Sequence, residues 1–215
     1  MDMFEAKKKS TEELAESVCK ALTARGFTAQ SVKNKGEALE AALKLIPAGA
    51  SVGVPGTVTV REVGLITELE KRGSKVAVHW DPNLKKEDKP ARFIEELTSD
   101  WLVTSVNAVT MDGVLVNIDG HGNRVGAMAW APGKLLMIVG KNKITRDIQS
   151  ALRRVRDVAT PPNVLRLDGS TPCAKVGRCV DCNSPDCSCR VVMMMERAPM
   201  GRECHVIIVE EELGY

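Results

Sequence analysis

The chain has 215 residues, 44% of them hydrophobic, and a net charge of +2 from 30 basic and 28 acidic side chains. That length and apolar share suffice for one well-filled core, or for one domain with an appendage. Balanced charge and an aromatic share of only 3% argue against a nucleic-acid partner, and no apolar run reaches the ~18–20 residues of a membrane span. The opening residues, MDMFEAKKKSTEEL, lack the apolar middle of a secretory signal, so a cytoplasmic location is expected.

Ser10 and Glu13 form a capping-box pattern, which predicts a helix from Ser10 to Gly26 with Leu14, Val18 and Leu22 on one face. Cys19 beside that stripe reads as a small buried hydrophobe. Residues 27–32 read as a strand and 33–36 as a turn. A second helix follows with Leu39, Leu43 and Ile46 in register, ended by Pro47 and Gly49. Residues 51–54 are a brief apolar strand, 55–59 (PGTVT) a loop, and 60–72 a helix with Thr59 and Glu62 as its capping box. Such a strand, glycine turn and capped helix aim backbone N–H groups near Gly56, with the Thr57 and Thr59 hydroxyls, past the strand's C-terminal end. An anion fits there, a carboxylate or a phosphate; a plain tight turn is the other reading. Residues 75–80 (KVAVHW) are the next strand, which makes a parallel βαβ unit. His79 near its end reads as a hydrogen-bonded structural residue. Residues 81–90 are a charged surface loop, and 91–97 a short helix feeding a strand at 101–106.

The densest polar stretch is SVNAVTMDGVLVNIDGHGNRVG, residues 105–126. Met111, Asp112 and Gly113 signal a hairpin, and the glycines after Asp119 permit close approach of a ligand at Gly120. Asn107, Asn117 and Asn123 each donate and accept. Arg124 offers a forked cation that fits a carboxylate or phosphate. His121 is the only group of this stretch that titrates near neutral pH, so it is the candidate general acid–base. The competing reading is a pair of turns whose asparagines satisfy their own backbone. Further on, 135–139 is a buried strand and 142–159 an amphipathic helix. Ile144, Ile148, Leu152 and Val155 point inward there, and Arg146, Arg153, Arg154 and Arg156 form a solvated face. Thr160-Pro-Pro-Asn ends it, and 204–210 is the last strand.

Seven cysteines are an odd number, and five lie between Cys173 and Cys189. Cys173, Cys179, Cys182 and Cys189 give C-x5-C-x2-C-x6-C, with Cys187 as an alternative fourth ligand. In a reducing compartment such a cluster favours a metal site over disulfides. Four thiolates suit a [4Fe–4S] cluster or, as the alternative, tetrahedral zinc; free or redox-active thiols are the third reading.

The segments NAVTMDG (107–113) and LVNIDGHGNRV (115–125) resemble the LUD-domain family, whose namesake belongs to a bacterial L-lactate utilisation operon. The likeness takes in VGVPGTVT (52–59), GKNKI (140–144), TPCAKVGRCVDCNSP (171–185) and the final EELGY. It implies a three-layer α/β/α fold with a mostly parallel sheet, like that of the sugar-phosphate isomerase, deaminase and CoA-transferase superfamily (NagB/RpiA/CoA-transferase-like). On that footing the chain is one domain over 1–215, with a helical N-terminal part at 1–50 and a Cys-rich insertion at 171–190. The resemblance also implies a role in oxidising L-lactate to pyruvate with iron–sulfur partner subunits, and a ligand set on Cys173, Cys179, Cys182 and Cys189.

The leading expectation is therefore an oxidoreductase subunit with a [4Fe–4S] centre, whose 107–124 pocket holds a small carboxylate clamped by Arg124. Two alternatives stand beside it. One is an isomerase or acyl-transferase-like enzyme acting on a phosphorylated or CoA-linked substrate. The other is a non-catalytic assembly factor with a zinc-stabilised loop.

Overall fold

The computed structural model describes residues 1–215. α1 spans Met3–Ala24 and begins well ahead of Ser10. Asp2 caps it: its side chain accepts from Glu5 N at 2.8 Å, and Glu5 accepts from Asp2 N at 3.0 Å. This capping box satisfies the orphan N–H groups further upstream, and the helix formers between it and Ser10 propagate the helix. β1 (Thr28–Val32), α2 (Lys35–Leu45) and β2 (Ser51–Gly53) follow.

The next helix is capped by Thr57 rather than Thr59, and left-handed Gly64 breaks it into α3 (Val58–Val63) and α4 (Leu65–Lys71). β3 (Lys75–Ala77), α5 (Lys89–Thr98) and β4 (Trp101–Thr104) come next. The expected hairpin is present as β5 (Ala108–Thr110) and β6 (Leu115–Asp119). The glycine-rich turn after it winds into a helix that the sequence reading missed, α6 (Asn123–Ala129).

β7 (Lys134–Gly140) leads through a tight turn at Lys141–Lys143 into β8 (Ile144–Thr145). The helix expected over 142–159 starts at α7 (Ile148–Arg154), where Asp147 caps Ser150 N at 2.7 Å. It continues past Thr160, through a π turn at Val155–Ala159, into α8 (Thr160–Arg166). Pro161 and Pro162 fall in the first turn of that new segment, where a missing N–H costs little. α9 (Pro172–Val176), β9 (Val191–Met195) and β10 (Cys204–Val209) complete the chain.

Six strands form one sheet in the order β1-β10-β7-β4-β2-β3, and every pairing in it is parallel. A second sheet, β8-β5-β6-β9, is mixed. The fold is thus a mixed α/β fold with a parallel main sheet. Strand alternation divides the core. Leu135, Met137 and Val139 of β7 face the α1 side, whereas Leu136 and Ile138 face the side of α2, α3 and α4. A third cluster packs the small sheet on Ala151 and Val155. Cys19 and Cys204 are buried in the first cluster, as core residues. No helix is long and apolar enough to cross a membrane.

Because β2, β3, β4 and β7 run parallel, their C-terminal ends open on one edge of the sheet. Four connections gather there: residues 54–57, 78–80, 105–107 and 141–143. In open α/β sheets this edge is where ligands bind.

Candidate functional site

A cleft of about 630 Å³ opens at that edge. Its innermost cation is Lys143, set at the end of β7 by the tight turn and only 4% exposed. Its Nζ donates to Thr59 Oγ1 at 2.7 Å and to Ser105 Oγ at 2.9 Å. Thr59 and Ser105 are themselves buried, and the Thr59 hydroxyl donates to the Leu213 carbonyl at 3.4 Å. Gly214, at φ +61°, roofs the pair, since a side chain there would run into Thr59 Oγ1. Burial, with Arg154 and then Arg124 nearby, pulls the Lys143 pKa down to about 7, against the opposing charge of Glu62.

On the opposite strand end, His79 is held by a buried carboxylate. Glu96 of α5 is 2% exposed. It accepts from His79 N at 2.6 Å and lies 2.8 Å and 3.0 Å from Nδ1. The carboxylate thus engages Nδ1 and leaves Nε2 as the ring nitrogen without a partner. The outer edge of the ring lies against Gly56 on the cleft wall. Trp80 beside it donates to the Val54 carbonyl at 3.2 Å and carries the Arg61 guanidinium 3.6 Å above its ring. Arg166 of α8 also lines the cleft and donates to Asn163 Oδ1 at 2.8 Å. It repels Arg61 and, after burial, is the main cause holding the Arg61 pKa below its ordinary value.

Most residues singled out from the sequence reach this cleft. Gly56, Thr57 and Thr59 line one wall; Asn107, Asp119 and Gly120 line another, with His121, Asn123 and Arg124. Asn117 does not: it is fully buried, and its Oδ1 accepts from Asn107 N at 3.0 Å. Arg124 is already engaged. Its Nε and Nη2 meet Asp119 Oδ1 at 2.9 and 2.6 Å, and Nη2 also reaches Asn107 Oδ1 at 2.8 Å. The other Asp119 oxygen takes Val125 N at 2.9 Å, at the start of α6. His121 is exposed on the rim. Arg154, expected on a solvated face, instead turns inward and donates to the Asn107 and Asn142 carbonyls.

The sequence reading missed Lys143, the His79–Glu96 pair, Arg61 and Arg166. In the sequence Lys143 falls inside the helix expected over 142–159 and KVAVHW reads as a strand with a structural His79, and the one available signal is a cation or histidine near a strand's C-terminal end.

The cysteine segment requires a correction. No three His, Cys, Asp or Glu side chains gather so as to hold a metal ion. All seven cysteines are free. Cys173, Cys179, Cys182, Cys187 and Cys189 surround a small cavity of about 110 Å³, but local partners occupy four of them. Cys173 Sγ sits 3.1 Å from Thr171 Oγ1, and Cys189 Sγ 3.6 Å from Thr160 Oγ1. Cys179 and Cys187 each accept a backbone N–H two residues on, at 3.4 Å. The physical reason is that the irregular backbone after α9 spaces the thiols around this cavity without bringing three of them close enough to share one ion. The residue types suit a [4Fe–4S] cluster or zinc, but as arranged the thiols do not form a shared ligand set for either. The expected redox centre, the oxidoreductase role built on it and the iron–sulfur partner subunits lose their basis.

Comparison with known proteins identifies the chain's relatives. A model of the LUD domain matches residues 15–209. The chain belongs to the LUD-domain family. No curated protein matches it in sequence. Its fold is similar to the crystal structure of a DUF162 family protein from Deinococcus radiodurans, at 14% identity and a TM-score of 0.53, over 93% of this chain and 98% of that one. A likeness to eIF2B beta from Chaetomium thermophilum, also 14% identical, has a TM-score of only 0.38 and covers 54% of this chain and 44% of that one. At 14% identity the first of these speaks to the fold of this LUD-domain chain alone, and the second carries no argument.

Proposed function

We propose that this LUD-domain protein binds a small anionic metabolite in the cleft and acts on it by proton transfer. One observation carries the reading: Lys143, Arg61 and Arg166 face one cleft, and none of them has a carboxylate within salt-bridge distance. The side-chain carboxylates that line the same cleft are engaged elsewhere, Asp119 by Arg124 and Asp186 by Ser170, and the charge of Tyr215 acts on Arg61 against that of Arg166 without an ion pair. Unpaired cations around a concave site favour an anionic group, and guanidinium pairs grip carboxylate or phosphate oxygens bidentately. His79 is the acid–base group, its free Nε2 presented by Glu96.

A hydroxy or oxo acid carries such a carboxylate, so a lactate-related setting is compatible with this cleft. The parallel sheet with its site at the strand ends supports the finer class of the sugar-phosphate isomerase, deaminase and CoA-transferase superfamily. A single domain over 1–215 is supported by α1 packing in one cluster with β4, β7 and β10, and the free cysteines suit a cytoplasmic location.

Calorimetry with inorganic phosphate and pyruvate tests the reading. Binding at ~1 mM or tighter is expected, weakened about tenfold by Arg61→Met and again by Arg166→Met. No heat from either anion, or affinities unchanged in both variants, would sink it.

A further inference from the structure

We infer that Lys143 is a carbonyl-condensing residue, whose amine forms an imine with a small anionic oxo compound (a 2-oxo acid or a phosphorylated ketone or aldehyde) on the cleft floor. The inference rests on the anion-binding reading above and adds a covalent step to it.

The argument starts from the partners of Nζ. An ammonium group buried for structural reasons is ordinarily paired with a carboxylate, because its charge is otherwise costly to desolvate. Lys143 is 4% exposed and has only two hydroxyl partners, Thr59 Oγ1 and Ser105 Oγ. Both hydroxyls donate to a backbone carbonyl, Thr59 to Leu213 O and Ser105 to Val106 O, at 3.4 Å each. They therefore accept from Nζ. In the neutral amine these two bonds use both N–H groups, and the lone pair takes the remaining tetrahedral direction, at a residue that lines the cleft.

The charged surroundings favour that neutral form. Arg154 from α7 and Arg124 from α6 repel a proton on Nζ, and only Glu62 from α3 opposes them. With a pKa of about 7, the amine is substantially unprotonated at neutral pH, as a lysine nucleophile must be.

The step balances without an oxidant. Nζ attacks the carbonyl carbon, a C–N bond forms and the C=O π pair moves to oxygen. That oxygen gains two protons, the amine gives up two, and one water leaves as the C–O bond breaks. The Thr59 and Ser105 hydroxyls, in contact with Nζ, are placed to relay those protons. Arg61 and Arg166 hold the anionic end.

Incubating the full chain with pyruvate and, separately, dihydroxyacetone phosphate, each with sodium cyanoborohydride, tests the step by peptide mass mapping. Expected is a single reduced adduct, the carbonyl compound less one oxygen atom, on Lys143. Its yield should exceed that at exposed lysines by ~10²-fold at neutral pH, because ordinary lysines stay protonated there. It should rise as pH passes about 7 and vanish in Lys143→Met and Lys143→Arg. Adducts spread evenly over lysines overturn the inference, with no variant needed. Binding of either probe by calorimetry without an adduct overturns it while sparing the anion site. Failure of both probes to bind overturns the two readings together.

Discussion

Two walls of the cleft differ both in how many polar groups they carry and in what those groups do. Residues 105–125 are rich in Asn, Asp and Arg, and nearly all of those groups are spent on one another: Asn107 with Asn117, Asn107 with Arg124, Arg124 with Asp119, Asp119 with the start of α6. The facing strand ends carry few polar side chains, but those few are unpaired or held ready: Lys143, Arg61 and the His79–Glu96 pair. A satisfied network stabilises a wall, whereas a buried cation without a counter-charge is a place where a ligand gains. Polar density is thus a poor guide to chemistry, and unmet electrostatic demand is a better one.

This contrast can be broken most directly at Asp119. Asp119→Ala leaves half-buried Arg124 without its carboxylate and α6 without its anchor, so a loss of ~3 kcal/mol in urea unfolding is expected. A loss below ~1 kcal/mol would show that the network is not what holds this wall.

Lys143 should respond in the other sense. Its folded pKa, about 7, lies below the ordinary lysine value of 10.5. The unfolded chain therefore binds more protons between those values, and stability rises with pH across that window. The penalty is complete below about 7. The slope attributable to this group approaches ~1.4 kcal/mol per pH unit, and Lys143→Met should remove it. Equal slopes in the two proteins would mean that Lys143 is not desolvated as described.

The smallest effects are expected in the cysteine segment. Cys179→Ser and Cys182→Ser should shift stability by less than ~0.5 kcal/mol, since both thiols are partly exposed and hold no shared ion. Added zinc should leave the melting temperature where it was. A rise of several degrees on zinc addition, lost in Cys182→Ser, would restore the metal site.

Particular residues show how far the chain could be read. The unbroken apolar run LLMIV and the βαβ spacing point to a parallel sheet, because a strand covered by helices on both faces has no polar side. The hairpin at 111–113 was legible from Asp112-Gly113. The site was legible in location, since strand-end loops gather wherever strands run parallel. Its chemistry was not. Thr59 looks like a helix cap in sequence, but Thr57 takes that role and frees Thr59 for a lysine that lies 84 residues along the chain. Glu96 sits on a charged amphipathic helix, and nothing local says that it turns inward to His79.

What the sequence by itself determined is the set of local choices: apolar period, turn residues, caps and the family motifs, each decided within a few neighbours. Only the tertiary structure decided which polar groups spend their hydrogen bonds on each other and which are left facing a cavity. It also decided that five cysteines, close in sequence, do not meet at one point. Pairing and desolvation depend on distances between residues far apart in the chain, and no local spacing encodes them.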